Sequence, residues 1–519
     1  MNKFAGVIFT IFILVISFLV FLGIRKNNVK NNNEAKQKTE EIVKKEDLRL
    51  GVLNLDTFNP ILTKNRYVYE MVNLFYDSLI DLSSDYSIKL ELAEKIEKMQ
   101  DLEYRVVLKD VSWNNMKDKL SSEDVLFTVD KIKENSGIYG DNVKNIAEIK
   151  IISDREFSII LKEKDPFFIS HLNFPIMKKV DDAMFVNAND YGVPYGIGKY
   201  FLSKTENNIL YFELNKDYYA FKDRNAPYIK KILVSRYKTG LELYNDFKAG
   251  NIDILETDKE DVESFLGKFG YHKLTYKGRE FTNLGFNCAK INDKNIRKAI
   301  AHILDKNLIL NEVYGVLESN YPLDNTFWLG SSFNIDKNLN YARELLEKAG
   351  LMQKDGKWTI DGKEIVLNIL VNKDNANSVK AAESIKKQFS DIGLNLNIAL
   401  ADVETFEKDI REKNYEMAIF TIRTDFSPSM KNFFGLNNYY NYVDPNMTEL
   451  LKQINEIDLK NEKEIQSVYK KIDEIYLEDI PFIGLYKNKR YYLISNALNG
   501  EINPNSHNIF QNFNVWYRK

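Results

Sequence analysis

Arg423 and Asp425 stand two residues apart in IFTIRTDFSPS (419–429), where an apolar run from Ile419 to Ile422 gives way to charge and Pro428 ends regular structure. Such a run reads as a buried strand, with the charges arriving where the chain leaves the core. Several roles are open to the carboxylate. It can be hydrated in a loop, it can be neutralised by Arg423, or it can be aimed at a ligand. Other reactive groups are sparse. His171, His272, His302 and His507 are far apart and share no metal-ligand spacing, and Cys288 is the only cysteine, so no internal disulfide or thiolate cluster is expected. There is no GxSxG nucleophile turn and no GxxxxGK[ST] phosphate loop. No metal, cofactor or catalytic residue is expected, and the missing motifs disfavour an enzyme. A hydrolase using an acid pair is the rival reading; pairs such as Asp181-Asp182 arise by chance among 75 acids.

The elements that must position Asp425 are legible around it. EIVLNILV (364–371) is a strand-like run, and Val379, Ile385, Phe389 and Ile392 then share one helical face ahead of Gly393. LNLNIAL (394–400) alternates as a strand, VETFEKDIREK (403–413) is a helix candidate, and MAIFTI (417–422) is a third strand. That succession predicts a parallel sheet covered by helices. In open α/β sheets, ligands bind beyond the carboxyl ends of the strands, which is where Asp425 stands. Nearer the start, LRLGVLNL (48–55) reads as a strand, and Val68, Val72, Phe75 and Leu79 keep helical spacing. LEYRVVLK (102–109) alternates as a strand, and Ser121 three residues before Asp124 marks a helix start.

With 72 basic and 75 acidic side chains, the net charge of −3 makes no case for nucleic acid. Length alone predicts two or three domains in 519 residues. Residues 5–24 carry no charge and would span roughly 30 Å as a helix, so residues 1–24 are expected to be an uncleaved transmembrane anchor. The polar stretch 25–47 would be a tether.

Six segments, in order, resemble the oligopeptide- and dipeptide-binding proteins among the extracytoplasmic solute-binding proteins of ABC importers, family 5. They are FNPILTKNRYVYEMVNLFYDSLIDL (58–82), VSWNNMKDKLSSEDVLFTVDKIKE (111–134), VPYGIGKYFL (193–202), LGFNCAKINDKNIRKAIAHILDKNLILNEVYG (284–315), NYARELLEKAG (340–350) and NYYNYVDPNMTELLKQ (438–453). The resemblance implies an α/β, two-lobed periplasmic-binding-protein-like fold of the class II, cluster C type, with a hinge crossed twice. Lobe I would comprise 48–283, with a subdomain at about 86–205, lobe II 284–486, and 487–519 would return to lobe I. It implies a monomer that captures a peptide or peptide-like solute and delivers it to importer permease subunits. By the same resemblance, TDFSPSMKNFF places Asp425 where the family holds a peptide's α-ammonium, although Pro428 comes one residue early and Thr421–Arg423 replace an aromatic. Arg423, Trp328, Tyr439, Tyr440 and Tyr442 complete the expected ligand-contact set. The folded body would lie on the extracytoplasmic face of the cell membrane. A peptide or pheromone sensor on the same scaffold is the further alternative.

Overall fold

Two long strands, Tyr271–Phe286 and Phe482–Ser495, run antiparallel and form the spine of the fold. The computed structural model describes residues 47–519 apart from 115, 136, 188–194, 223–224, 260–261, 268–269, 325–326 and 458–460. The expected anchor at 1–24 and all but the last residue of the tether at 25–47 lie outside the described residues. Among the described residues, no helix is long and apolar enough to cross a membrane.

The register of the two spine strands is broken between Lys277 and Phe281, opposite Lys489 and Lys487. That break divides the chain into a first half (47–277 and 489–519) and a second half (281–487). On the first side, Phe482–Ser495 also pairs with Ile254–Thr257. On the second, Tyr271–Phe286 pairs with Met417–Arg423, and the sheet continues through Val366–Asn372 to Asn395–Ala401. The last three are mutually parallel, with helix Ala376–Ser390 linking Val366–Asn372 to Asn395–Ala401 and helix Val403–Glu412 leading into Met417–Arg423. Asn375 and Asp402 cap these helices through their side chains, so local sequence sets where each begins. Ile369, Val371, Ala381, Ile385, Phe389 and Ile419 share one buried cluster, and each large aliphatic there contributes about 1.5–3 kcal/mol by leaving water.

In the first half, Asp47–Leu53 pairs parallel with Lys231–Tyr237, followed antiparallel by Ile209–Leu214 and Tyr200–Glu206. The expected helix over 68–79 is shorter: it spans Arg66–Phe75, Tyr76 is extended, and Leu79 enters the core from the next segment. Tertiary contact decides that end. The Gly198 N–H donates to the Phe75 carbonyl at 3.1 Å, and a Cβ at Gly198 would lie 2.2 Å from the Phe75 carbonyl carbon. The glycine-rich turn is thus a structural clasp. A separate antiparallel sheet runs Ala93–Gln100, Glu103–Leu108, Glu156–Leu161, Ile146–Ser153. Helix Ser122–Asn135 follows the predicted start, with Asp124 accepting from both Ser121 N and Oγ at 2.8 Å. The C-terminal segment returns to the first half, where Trp516 is buried in one cluster with Leu48, Leu50 and Val52.

One apolar cluster joins the halves: Trp113, Phe168 and Phe174 belong to it, and so do Phe420, Tyr440 and Phe482. The halves therefore meet along a packed seam.

Candidate ligand site

Strand Met417–Arg423 ends at the seam, and the next residues are clamped to the spine. Thr424 donates its N–H (2.9 Å) and hydroxyl (3.0 Å) to the Arg279 carbonyl, while Arg279 Nε donates to the Thr424 carbonyl at 2.8 Å. The Arg279 guanidinium lies 3.8 Å from the centre of the Phe426 ring, a cation–π contact. Phe426 in turn neighbours Tyr86 of the first half at 6.3 Å, and Tyr86 stacks on Phe327 at 4.1 Å.

Asp425 is 39% exposed, and its Oδ1 accepts the Phe426 N–H at 2.6 Å. The same oxygen is 3.9 Å from His171 Nδ1, across the seam, and His171 Nε2 is 3.3 Å from Asp165. Burial alone would lower the His171 pKa; the Asp165 hydrogen bond and the charges of Asp425 and Asp165 together outweigh it and hold the imidazole above its usual value. Arg423 is exposed and makes no ion pair with Asp425 within 4 Å, so neutralisation by Arg423 is not what the structure shows.

The charges of Arg279 and Arg423 both reach the half-buried Tyr69, and that of Arg279 also reaches His507. Tyr69 and His507, with Asn73, Tyr139 and Asn173, line a cavity of about 30 Å³, large enough for a water. His507 Nε2 bonds the Leu82 carbonyl at 3.1 Å, while Nδ1 is buried without a hydrogen-bond partner. Burial, with Arg279 adding to it, pushes the His507 pKa down to about 4. A larger cavity of about 550 Å³ lies within the first half beside Asp77 and Glu91. Asp77 and Glu91 are already bridged by the Tyr218 and Tyr219 hydroxyls at 2.6–3.1 Å.

The structure thus brings Arg423 and Asp425 together with Arg279, His171 and Tyr69. Trp328 is half-buried at the seam, its backbone N–H donating to the Asp85 carbonyl at 2.9 Å. Tyr439 is 37% exposed and its ring lies 5.6 Å from that of Phe420. Tyr440 and Tyr442 are core residues here. Tyr440 is wholly buried, stacks on Phe482 and bonds Asn283 at 3.2 Å, while Tyr442 bonds Asp479 at 2.7 Å. Arg279, His171, Tyr69 and His507 escape sequence reasoning. Each sits in a segment whose local pattern is structural, and its partners lie far along the chain.

A mixed α/β body with two long strands joining its halves, and charged groups gathered where those halves meet, is the build of a solute-binding protein. The chain belongs to the bacterial extracellular solute-binding proteins, family 5: the model of that family's middle region matches residues 87–443. This is a family of binding proteins, not enzymes. A dipeptide-binding protein of Lactococcus lactis subsp. cremoris is 27% identical over 243 residues, which is 41% of this chain and only 42% of that relative. Among solved structures, the oligopeptide-binding protein AppA of Bacillus subtilis, in complex with a nonapeptide, is 20% identical with a TM-score of 0.58 over 92% of this chain and 99% of that one. The periplasmic murein tripeptide binding protein MppA, in an unliganded open form, is 16% identical with a TM-score of 0.77 over 91% and 97%. A nickel ABC transporter structure from Bacillus halodurans is 18% identical with a TM-score of 0.74 over 90% and 98%. At these identities the solved structures establish the fold.

Proposed function

We propose that this chain captures a peptide or peptide-like solute between two lobes and presents it to the permease subunits of an ABC importer. In this reading lobe I comprises 48–283 and 487–519, with a subdomain at about 86–205, and lobe II comprises 284–486. The two spine strands are the hinge, and their register break near 278–280 is where bending would concentrate. Residues 1–24 would anchor the protein and 25–47 would tether it, with the body, a monomer, on the extracytoplasmic side.

The observation that carries the proposal is Asp425: a carboxylate at the end of a parallel strand, on the seam, accessible and not neutralised by the neighbouring Arg423. A solute ammonium displacing the long His171 contact would give it a charge-assisted partner. The dipeptide, nonapeptide and murein tripeptide named for the relatives favour peptides as the first class to test. Calorimetric titration of the full chain with alanine peptides should show binding that N-acetylation abolishes, and Asp425→Asn should weaken the free-amine peptides roughly 10- to 100-fold. Equal affinity for acetylated and free peptides would remove the ammonium role.

A further inference from the structure

His171 sets both of its ring nitrogens against carboxylates, one from each half of the molecule. Nε2 is 3.3 Å from Asp165, in the same half, and Nδ1 is 3.9 Å from Asp425, across the seam. A neutral imidazole has one N–H and one lone pair, so it donates to only one of two ionised carboxylates and turns the lone pair towards the other. Only the imidazolium offers a donor to each, and the geometry therefore favours the protonated ring while Asp425 stands opposite it. The ring is 14% exposed, and its place is set in advance. It sits on the short helical turn Phe168–Leu172, where Asn142 Nδ2 donates to the His171 carbonyl at 2.8 Å and to Asn173 at 2.7 Å.

The other charges nearby do not replace this arrangement. Lys144, just beyond helix Gly140–Val143, works against protonation of His171, and its own ammonium lies 3.1 Å from Asp141. Glu163 and Lys164, which precede Asp165, pair with Lys431 at 3.1 Å and with Asp101. On the second half, Arg279 turns its Nε–H to the Thr424 carbonyl. Among the described residues, His171 alone brings a cationic group within 4 Å of Asp425.

We propose that His171 is an exchangeable cation for Asp425: the solute's ammonium takes its place on the carboxylate, and the imidazole gives up its Nδ1 proton. The proposal rests on the solute-binding reading above and adds a proton to it. In the exchange the Nδ1–H bond breaks, the electron pair stays on the nitrogen, and the proton passes to the buffer. The remaining N–H is kept at Nε2, facing Asp165. Once an ammonium matches Asp425, that carboxylate no longer holds the proton, and the new cation beside the ring repels it. Capture of an amine and retention of the proton are therefore competitive, and by linkage each weakens the other equally. Affinity should be lowest in acid and rise through the window between the imidazole's pKa in the complex and its raised value in the empty chain.

The test is calorimetric titration of the full chain with free-amine trialanine at about pH 6.5, where the peptide amine stays charged, in phosphate and in bis-Tris. The buffer takes up any released proton, so the heat differs between the two buffers in proportion to the number released. The wild type should release up to about one proton per peptide, and its affinity should fall by at most about tenfold per pH unit on going to acid. In His171→Gln the release should vanish, and binding at about pH 5.5 should be tighter than in the wild type. Asp165→Asn keeps the imidazole but loosens its hold on the proton, and should release less. Affinity independent of pH in the wild type, or release undiminished in the two variants, overturns the exchange and leaves the ammonium role of Asp425 standing. If no peptide binds, that role fails, and the exchange is decided by NMR titration of the imidazole protons with methylammonium as the probe. The chain has four histidines, and His171→Gln identifies the signal. A His171 midpoint that methylammonium lowers in the wild type and not in Asp425→Asn upholds the exchange; any other response overturns it.

Discussion

Arg297, buried inside the second half, and Arg279, half-buried at the seam, are two arginines whose surroundings differ completely. Arg297, on helix Lys294–Ile303, spends its donors on four backbone carbonyls, those of Ile291, Asn292, Asp479 and Ile480, at 2.8–3.2 Å. Arg279 spends one donor. The contrast extends to the ion pairs of the first half, where Asp253, fully buried, is held between Arg49 at 2.7 Å and Arg518 at 3.2 Å. Arg297 and Asp253, buried inside the two halves, are matched by protein groups, whereas the half-buried Arg279 at the seam uses only its Nε–H. The Asp77–Glu91 cluster makes the same point from the other side, since a cavity of about 550 Å³ lies beside it and its acids are nonetheless occupied.

The comparison can be broken most forcefully at Arg297. Arg297→Met would strand four carbonyls and should lower the unfolding free energy by roughly 2–4 kcal/mol in urea titration. The folded fraction should keep the solute affinity of the wild type. A stability loss of similar size in Arg279→Met would erase the distinction drawn between the two arginines.

Two histidines sharpen the contrast through opposite signs of pH dependence. His507 has its folded pKa pushed below the unfolded value, to about 4, so its contribution is complete above pH 6.5 and is lost as the pH falls towards 4. That loss amounts to as much as about 3 kcal/mol, and His507→Gln should remove it from the pH profile of the melting temperature. His171 is raised, so its contribution is present below pH 6.5 and disappears as the pH rises through its folded pKa. His171→Gln should flatten the alkaline side of the same profile. Matching signs for the two would contradict the geometry of Asp165 and Asp425 around His171.

The smallest expected effect is at the rim. Lys431 and Glu163 pair across the seam at 3.1 Å, and both are well exposed. A double-mutant cycle with Lys431→Met and Glu163→Gln should give a coupling below about 1 kcal/mol that fades in high salt. A larger, salt-insensitive coupling would mean that exposed pairs, and not the open charges, control closure.

Much of this architecture was legible from residue patterns. The strand–helix–strand–helix–strand order of 364–422 and the Ser121–Asp124 helix start depend on neighbours within a few positions, and each formed as expected. Asp425 was legible for the same reason, as a charge just beyond an apolar strand. Leu79 was assigned to a helix that ends at Phe75, because periodicity continues past an end that Gly198 imposes from 123 positions away. Glu344 and Lys348 have the spacing of a helical ion pair and form none within 4 Å, as suits an exposed pair worth little. Tyr440 and Tyr442 look like cleft aromatics in a segment rich in tyrosine, and only packing against Phe482 and Asp479 reveals them as core.

By itself, then, the sequence determined the elements, their caps, the parallel sheet and the position of one carboxylate at a strand exit. These follow from side-chain periodicity and capping chemistry over three to seven residues. Tertiary structure alone decided which charges are matched. Arg279 meets Thr424 across 145 positions, and Asp425 meets His171 across the seam. Whether a charge is satisfied depends on what lies within about 4 Å in space, and short-range pattern carries no record of that.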